Sequence, residues 1–141
     1  MAWAIAGTGL LAISYVAWDY WRVSQLYLDP AQRHPAYRSD VFRSVSSTWL
    51  YQDYVRFAEL GVTPLTQANA AHIHALAKDM LHFSPEPRVV QAVIDSALLL
   101  GKDEDAVFYL ERLMLAYPQD ASAWKASHEA SSVQSMSQGK L

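Results

Sequence analysis

The sequence predicts an all-α protein: one N-terminal transmembrane helix followed by antiparallel helical hairpins. Three observations carry this. Ala2 to Trp18 runs without a charged residue. From Val41 onward apolar residues recur near a 3.6-residue period, in stretches punctuated by Gly and Pro. The composition is 52% apolar and only 18% charged, more apolar than an average soluble domain.

The N-terminal run, AWAIAGTGLLAISYVAW, spans about 26 Å as a helix at about 1.5 Å per residue, the short end of a bilayer crossing. Asp19 closes it, but Tyr20, Trp21, Val23, Leu26, Tyr27 and Leu28 continue an apolar stripe, so residues 1–28 read as a transmembrane and exit helix. Trp18, Tyr20, Trp21 and Tyr27 are the residue types that gather at a membrane interface. Gly7, Gly9, Ala2, Ala4, Ala6 and Ser14 form a small-residue surface suited to helix packing. A cleaved signal peptide needs a positive N-terminal region, and no Lys or Arg precedes Arg22. A buried core helix is the other alternative. Arg22, Arg33, Arg38 and Arg43 favour a cytoplasmic domain by the positive-inside rule, offset by Asp19, Asp29 and Asp40.

Residues 29–40 (DPAQRHPAYRSD) hold two prolines and no apolar period, and read as a linker. Residues 41–128 are expected to be helical. The first stretch carries Phe42, Val45, Trp49, Tyr54, Phe57, Ala58 and Leu60 close to a 3.6-residue period and stops at Gly61. Thr63-Pro64 is a helix start signal, and the helix from there to His82 turns Leu65, Ala68, Ile73, Leu76, Ala77, Met80 and Leu81 inward. Ser84-Pro85-Glu86-Pro87 breaks the chain and opens a helix from Arg88 to Leu100, ended by Gly101. The next places Ala106, Leu110, Leu113 and Met114 in the core and closes at Tyr117-Pro118, and a last helix covers Ala121 to His128. The Ser- and Gln-rich residues 129–141 read as a flexible tail.

Phe83 and Tyr117 lie 34 residues apart, and Pro85 and Pro118 lie 33 apart, each pair ending one helix and opening the next. That is the tetratricopeptide period, so the hairpins are expected to be tetratricopeptide-like. An ordinary helical bundle predicts the same antiparallel helices.

Several chemistries are disfavoured. Eleven Lys and Arg are scattered through a chain of net charge −3, so no basic face for nucleic acid can be drawn. Without Cys there is no disulfide framework or thiolate site. His72 and His74 point about 200° apart on a helix, and neither has a carboxylate at i+3 or i+4, so no metal site and no oriented base are indicated; surface or capping roles are expected. Asp103, Glu104 and Asp105 complement a helix dipole. No phosphate loop, no nucleophile elbow, no catalytic residue and no cofactor site can be assigned.

Four segments carry a family resemblance: YWRVSQLYLDPAQR, SSTWLYQDYVRFAELG, TPLTQANA and HFSPEPRVVQAVIDSALLLGKDEDAVFYLERLMLAYP. Together they resemble the C-terminal region of bacterial O-oligosaccharyltransferases of the pilin-glycosylating type, in the O-antigen ligase and polymerase superfamily. The likeness extends over about residues 5–125. It implies an inner-membrane enzyme that moves a glycan from an undecaprenyl-pyrophosphate carrier to a protein hydroxyl, with this helical domain in the periplasm. The large loop in which such enzymes carry their catalytic residues has no counterpart here, so the resemblance implies a non-catalytic C-terminal portion. Its expected partners are membrane lipid, a pilin-like acceptor and the rest of a multi-pass enzyme.

Two residue groups are candidates for binding. Arg33, His34 and Arg38, beside the membrane exit, suit a lipid phosphate. Trp49, Tyr51, Tyr54 and Arg56 form an aromatic and cationic group suited to a protein partner. Supporting acceptor binding or the stability of the enzyme is the first functional expectation; a free-standing membrane-tethered interaction module is the alternative.

Overall fold

The computed structural model describes the backbone of residues 2–138 and the side chains of residues 7–130. It is all-α among the described residues and divides into two compact units, residues 1–63 and 64–141.

In the first unit, α1 (Ala2–Ser24) runs through the apolar segment and ends in a 3-10 turn, Gln25–Tyr27. A second 3-10 turn, Pro35–Tyr37, sits within the proline-containing linker. Then come α2 (Val41–Val45) and α3 (Gln52–Val62). Asp40 caps α2, its carboxylate accepting the Arg43 N–H at 3.0 Å. Val23, Leu26, Val41 and Val45 form the core, with Tyr37, Phe42, Tyr51, Val55 and Ala58 packed around them.

One helix was expected from Val41 to Leu60, and two form. Ser46, Ser47 and Thr48 are weak helix formers whose hydroxyls compete for the backbone. Ser46 Oγ donates to the Arg43 carbonyl, and Thr48 Oγ1 accepts the Tyr51 N–H, which turns the chain out of the helix. The break resets the helical phase. Trp49 and Tyr54, members of the expected single apolar period, are therefore 78% and 46% exposed, while Val41 and Val45 are buried.

The transmembrane assignment is not carried by the structure: among the described residues no helix is long and apolar enough to cross a membrane. The charges explain this, because Asp19 and Arg22 fall inside α1 and are buried within the unit. The other half of α1 leaves Leu10, Leu11 and Ile13 exposed. The side chains of Ala2, Ala4 and Ala6 lie outside the described residues; at Gly7 and Gly9 an added Cβ meets nothing within 4 Å.

In the second unit, α4 (Ala70–Met80), α5 (Pro87–Leu99), α6 (Asp103–Ala116) and α7 (Pro118–Gln138) pack each on the next across short turns. Val90, Ile94, Ala97, Ala106, Leu113 and Ala121 are the centre of the core, and the three alanines allow close helix approach. Leu81, Tyr109, Leu110, Tyr117 and Trp124 close its edge. Met114, expected in this core, is exposed.

Helix α4 starts at Ala70 rather than at Pro64. Asn69 turns its side chain back, Oδ1 accepting the Thr66 N–H at 2.7 Å and Nδ2 donating to the Pro64 carbonyl at 3.0 Å. That local turn holds residues 64–69 out of the helix. By contrast Pro87 opens α5 at a first-turn position, where its missing N–H costs nothing. Helix α7 continues through Gln138, past the composition change at residue 129.

Gly101 ends α5 with φ +66°, and no atom lies within 4 Å of a Cβ added there. Gly101→Ala therefore meets only the backbone penalty of the left-handed region. We expect a loss of about 1 kcal/mol in denaturant unfolding of the full chain. Unchanged stability would contradict the assigned turn.

Candidate functional site

The first unit holds both residue groups singled out from the sequence. Its most constrained feature is a buried ion pair within α1. Asp19 is fully buried and Arg22 nearly so. Arg22 Nη1 meets Asp19 Oδ1 at 3.3 Å, and Arg22 Nη2 donates to the Ser44 carbonyl at 2.7 Å and to Ser47 Oγ at 3.0 Å. Thr48 Oγ1 donates to the second Asp19 oxygen at 2.6 Å. The guanidinium also lies 4.4 Å from the centre of the Trp18 ring. A carboxylate and a guanidinium out of water are tolerated because the available donors and acceptors are used. Among the described residues no buried side-chain polar atom lacks a partner.

Arg33, His34 and Arg38 are brought together on the linker, largely by their own bonding to it. Arg33 Nε donates to the Leu28 carbonyl at 3.0 Å; Arg38 donates to the Arg33 carbonyl at 3.1 Å and the Ala31 carbonyl at 3.3 Å. The His34 ring accepts the Ala36 N–H and stands edge-on to Trp21 and Tyr37, with centroids at 5.6 and 6.2 Å. Its backbone N–H donates to the buried Gln25 side chain at 2.9 Å. The group thus holds the linker against the end of α1, with His34 and Arg38 exposed and Arg33 half-buried.

The other group is divided. Tyr51 is half-buried between Tyr20 and Tyr54, with ring centroids at 5.8 and 6.0 Å. The Tyr54 carbonyl accepts the Tyr27 hydroxyl at 2.8 Å. Arg56 lies 3.8 Å from Asp53 and, with Ser46, Thr48, Gln52 and Val55, lines an open depression of about 240 Å³. Trp49, on the turn carrying Thr48, projects into solvent. Tyr51 therefore packs against the core, while Trp49, Tyr54 and Arg56 present surface.

The second unit corrects the expectation for one histidine. His72 is exposed, but His74 is buried and joins three helices. Its Nδ1 lies 3.1 Å from Ser96 Oγ on α5, and its Nε2 lies 3.2 Å from Asp105 Oδ2 on α6. Ser96 Oγ also lies 2.6 Å from the Ala92 carbonyl and 3.1 Å from the Val93 carbonyl of its own helix. Ser, His and Asp are the residue types of a hydrolase triad, but this serine is fully buried within a helix and bonded to that helix's carbonyls. The constellation joins helices and offers no nucleophile. Its signal was absent from local spacing, because the partners of His74 lie 22 and 31 residues away. Among the described residues no three His, Cys, Asp or Glu side chains converge on a metal position.

Two carboxylates in this unit are shifted in opposite directions. The Lys78 ammonium, hydrogen-bonded at 3.2 Å, holds Asp105 below its ordinary value, aided by Lys78's charge and by His74 against some desolvation. Burial pushes Asp95 on α5 above its ordinary value, outweighing the Trp124 indole N–H at 2.7 Å and His128 at 3.2 Å, both on α7.

Two measurements check these assignments. Asp19→Ala strands Arg22 without its carboxylate and should cost about 3 kcal/mol or more in denaturant unfolding, whereas Asp19→Leu with Arg22→Leu should recover much of that loss. Asp105 ionises more readily folded than unfolded, so its contribution is present above its ordinary 3.8 and is lost as pH falls through the lower folded value. The stability gap between wild type and Asp105→Asn should accordingly narrow on acidification from about pH 6 to about pH 3. A gap constant across that range would show that Asp105 is not held this way.

Over residues 1–131 the chain matches the family model described as virulence factor membrane-bound polymerase, C-terminal. No curated protein and no solved structure matches it.

Proposed function

Because the chain belongs to the family formed by the C-terminal region of virulence-factor membrane-bound polymerases, we propose that it is the non-catalytic C-terminal portion of an O-oligosaccharyltransferase-like membrane protein. In this reading the parent enzyme moves a glycan from an undecaprenyl-pyrophosphate carrier to a pilin-like protein. The helices described here, tetratricopeptide-like in their spacing, support acceptor binding or the stability of the catalytic part from the periplasmic side.

One observation carries the reading. Helix α1 changes character along its length: Leu10, Leu11 and Ile13 are exposed, and one turn past Val16 the helix is held by the fully buried Asp19. Exposed apolar surface of that extent belongs against lipid or neighbouring apolar helices, and Trp18, Tyr20 and Trp21 lie where the character changes. Arg33, His34 and Arg38 follow on the linker, which suits contact with a lipid phosphate; Trp49, Tyr54 and Arg56 suit the acceptor.

The chain has no cysteine, so single introduced cysteines report position cleanly. In cells with a permeabilised outer membrane, a membrane-impermeant maleimide should label Trp49→Cys and Arg38→Cys but not Leu11→Cys. Equal labelling at Leu11 would remove the apolar seat of α1, and labelling of Trp49→Cys only after inner-membrane lysis would remove the periplasmic placement. Transfer of glycan from lipid carrier to pilin by the purified chain alone would overturn the non-catalytic reading.

A further inference from the structure

We propose that the outward face of α6 is a docking surface for a basic amphipathic helix. Val107 and Phe108, 56% and 45% exposed, floor an open groove of about 440 Å³ walled by Asp103, Glu104 and Glu111. Glu104, Phe108, Glu111 and Leu115 follow one another at intervals of four, three and four residues, which puts them on one side of the helix. Leu115 is 85% exposed. The stripe is about 17 Å long at about 1.5 Å per residue, room for a helix of three turns laid alongside.

The charges identify the occupant. Asp103, Glu104 and Glu111 enter no ion pair among the described residues, whereas Lys78 is engaged by Asp105 and Arg88 by Glu86. The helix dipole accounts for Asp103 and Glu104 in the first turn, but not for Glu111 in the middle of α6. Phe108 already carries the Arg112 guanidinium at 4.1 Å from its ring centre, so this surface accepts a cation over an aromatic face. A helix with one apolar stripe flanked by Lys or Arg answers the floor and the walls together. An anionic lipid surface is repelled by the carboxylates, and so is the same face of a second copy.

The test uses the full chain and a fluorescein-labelled synthetic helix of about 14 residues, with a leucine stripe flanked by lysines, beside a matched peptide carrying glutamates. The lysine peptide is expected to bind, and the glutamate peptide not. Glu104→Lys with Glu111→Lys should weaken the lysine peptide at least about tenfold and admit the glutamate peptide. Leu115→Ser should weaken it too, while Asp29→Lys with Asp120→Lys, exposed carboxylates elsewhere, should leave it unchanged. All these sites are exposed, and helical circular dichroism monitors folding of each variant. The proposal is overturned by absent binding, by equal binding of both peptides, or by equal loss in the Asp29 and Asp120 variant. It is also overturned if sedimentation shows the α6 face buried in a self-associated chain.

Discussion

The first unit depends on one charge pair taken out of water. Asp19 and Arg22 sit one turn apart on α1, and the remaining valences of both are met by Ser44, Ser47 and Thr48 around the α2–α3 turn. Desolvating two ions is costly, so the pair persists only while every one of those contacts is made. The contacts in turn dictate where α2 stops, how the turn runs and which residues of α3 face the core. The small apolar core of Val23, Leu26, Val41 and Val45 gathers beside a geometry that the polar contacts specify.

The second unit solves a related problem differently. Its core is apolar and alanine-rich at the helix crossings, and two side-chain bridges join the helices around it. His74 ties α4 to α5 and α6, and Asp95 ties α5 to α7. These bridges select a particular alignment of helices that hydrophobic burial alone would leave loosely specified. The outer face of α6 takes part in neither, and there apolar side chains and uncompensated carboxylates coexist at the surface.

What the sequence conveyed, and what it did not, follows the range of the interactions. The α5 and α6 boundaries were legible because Pro87, Gly101 and Pro118 act on their own backbone: an expected helix from Arg88 to Leu100 is observed as Pro87–Leu99. The break at Thr48 was not legible, since a partner that holds it outside the helix is Asp19, 29 residues earlier. Thr63-Pro64 failed as a start signal because the Asn69 side chain competes for the same backbone groups. At the candidate site the linker group was recognisable by type, but that Arg33 and Arg38 bind their own chain was not, because backbone carbonyls leave no trace in residue identity. Family membership was readable at the level of the superfamily from four segments of sequence.

Helix α1 is also a mechanical element. Its 23 residues form a rod of about 35 Å, continuous from the exposed apolar end to the turn that carries Asp19 and Arg22. An α-helix of that length bends little without a proline or a bulge, and α1 contains no proline. A displacement imposed at Leu10 or Leu11 therefore reaches Ser44, Ser47 and Thr48 as motion of a stiff lever, not as local relaxation. Since Arg22 holds Ser44 and Ser47 while Asp19 holds Thr48, the α2–α3 turn must follow the rod or give up the contacts that satisfy the ion pair.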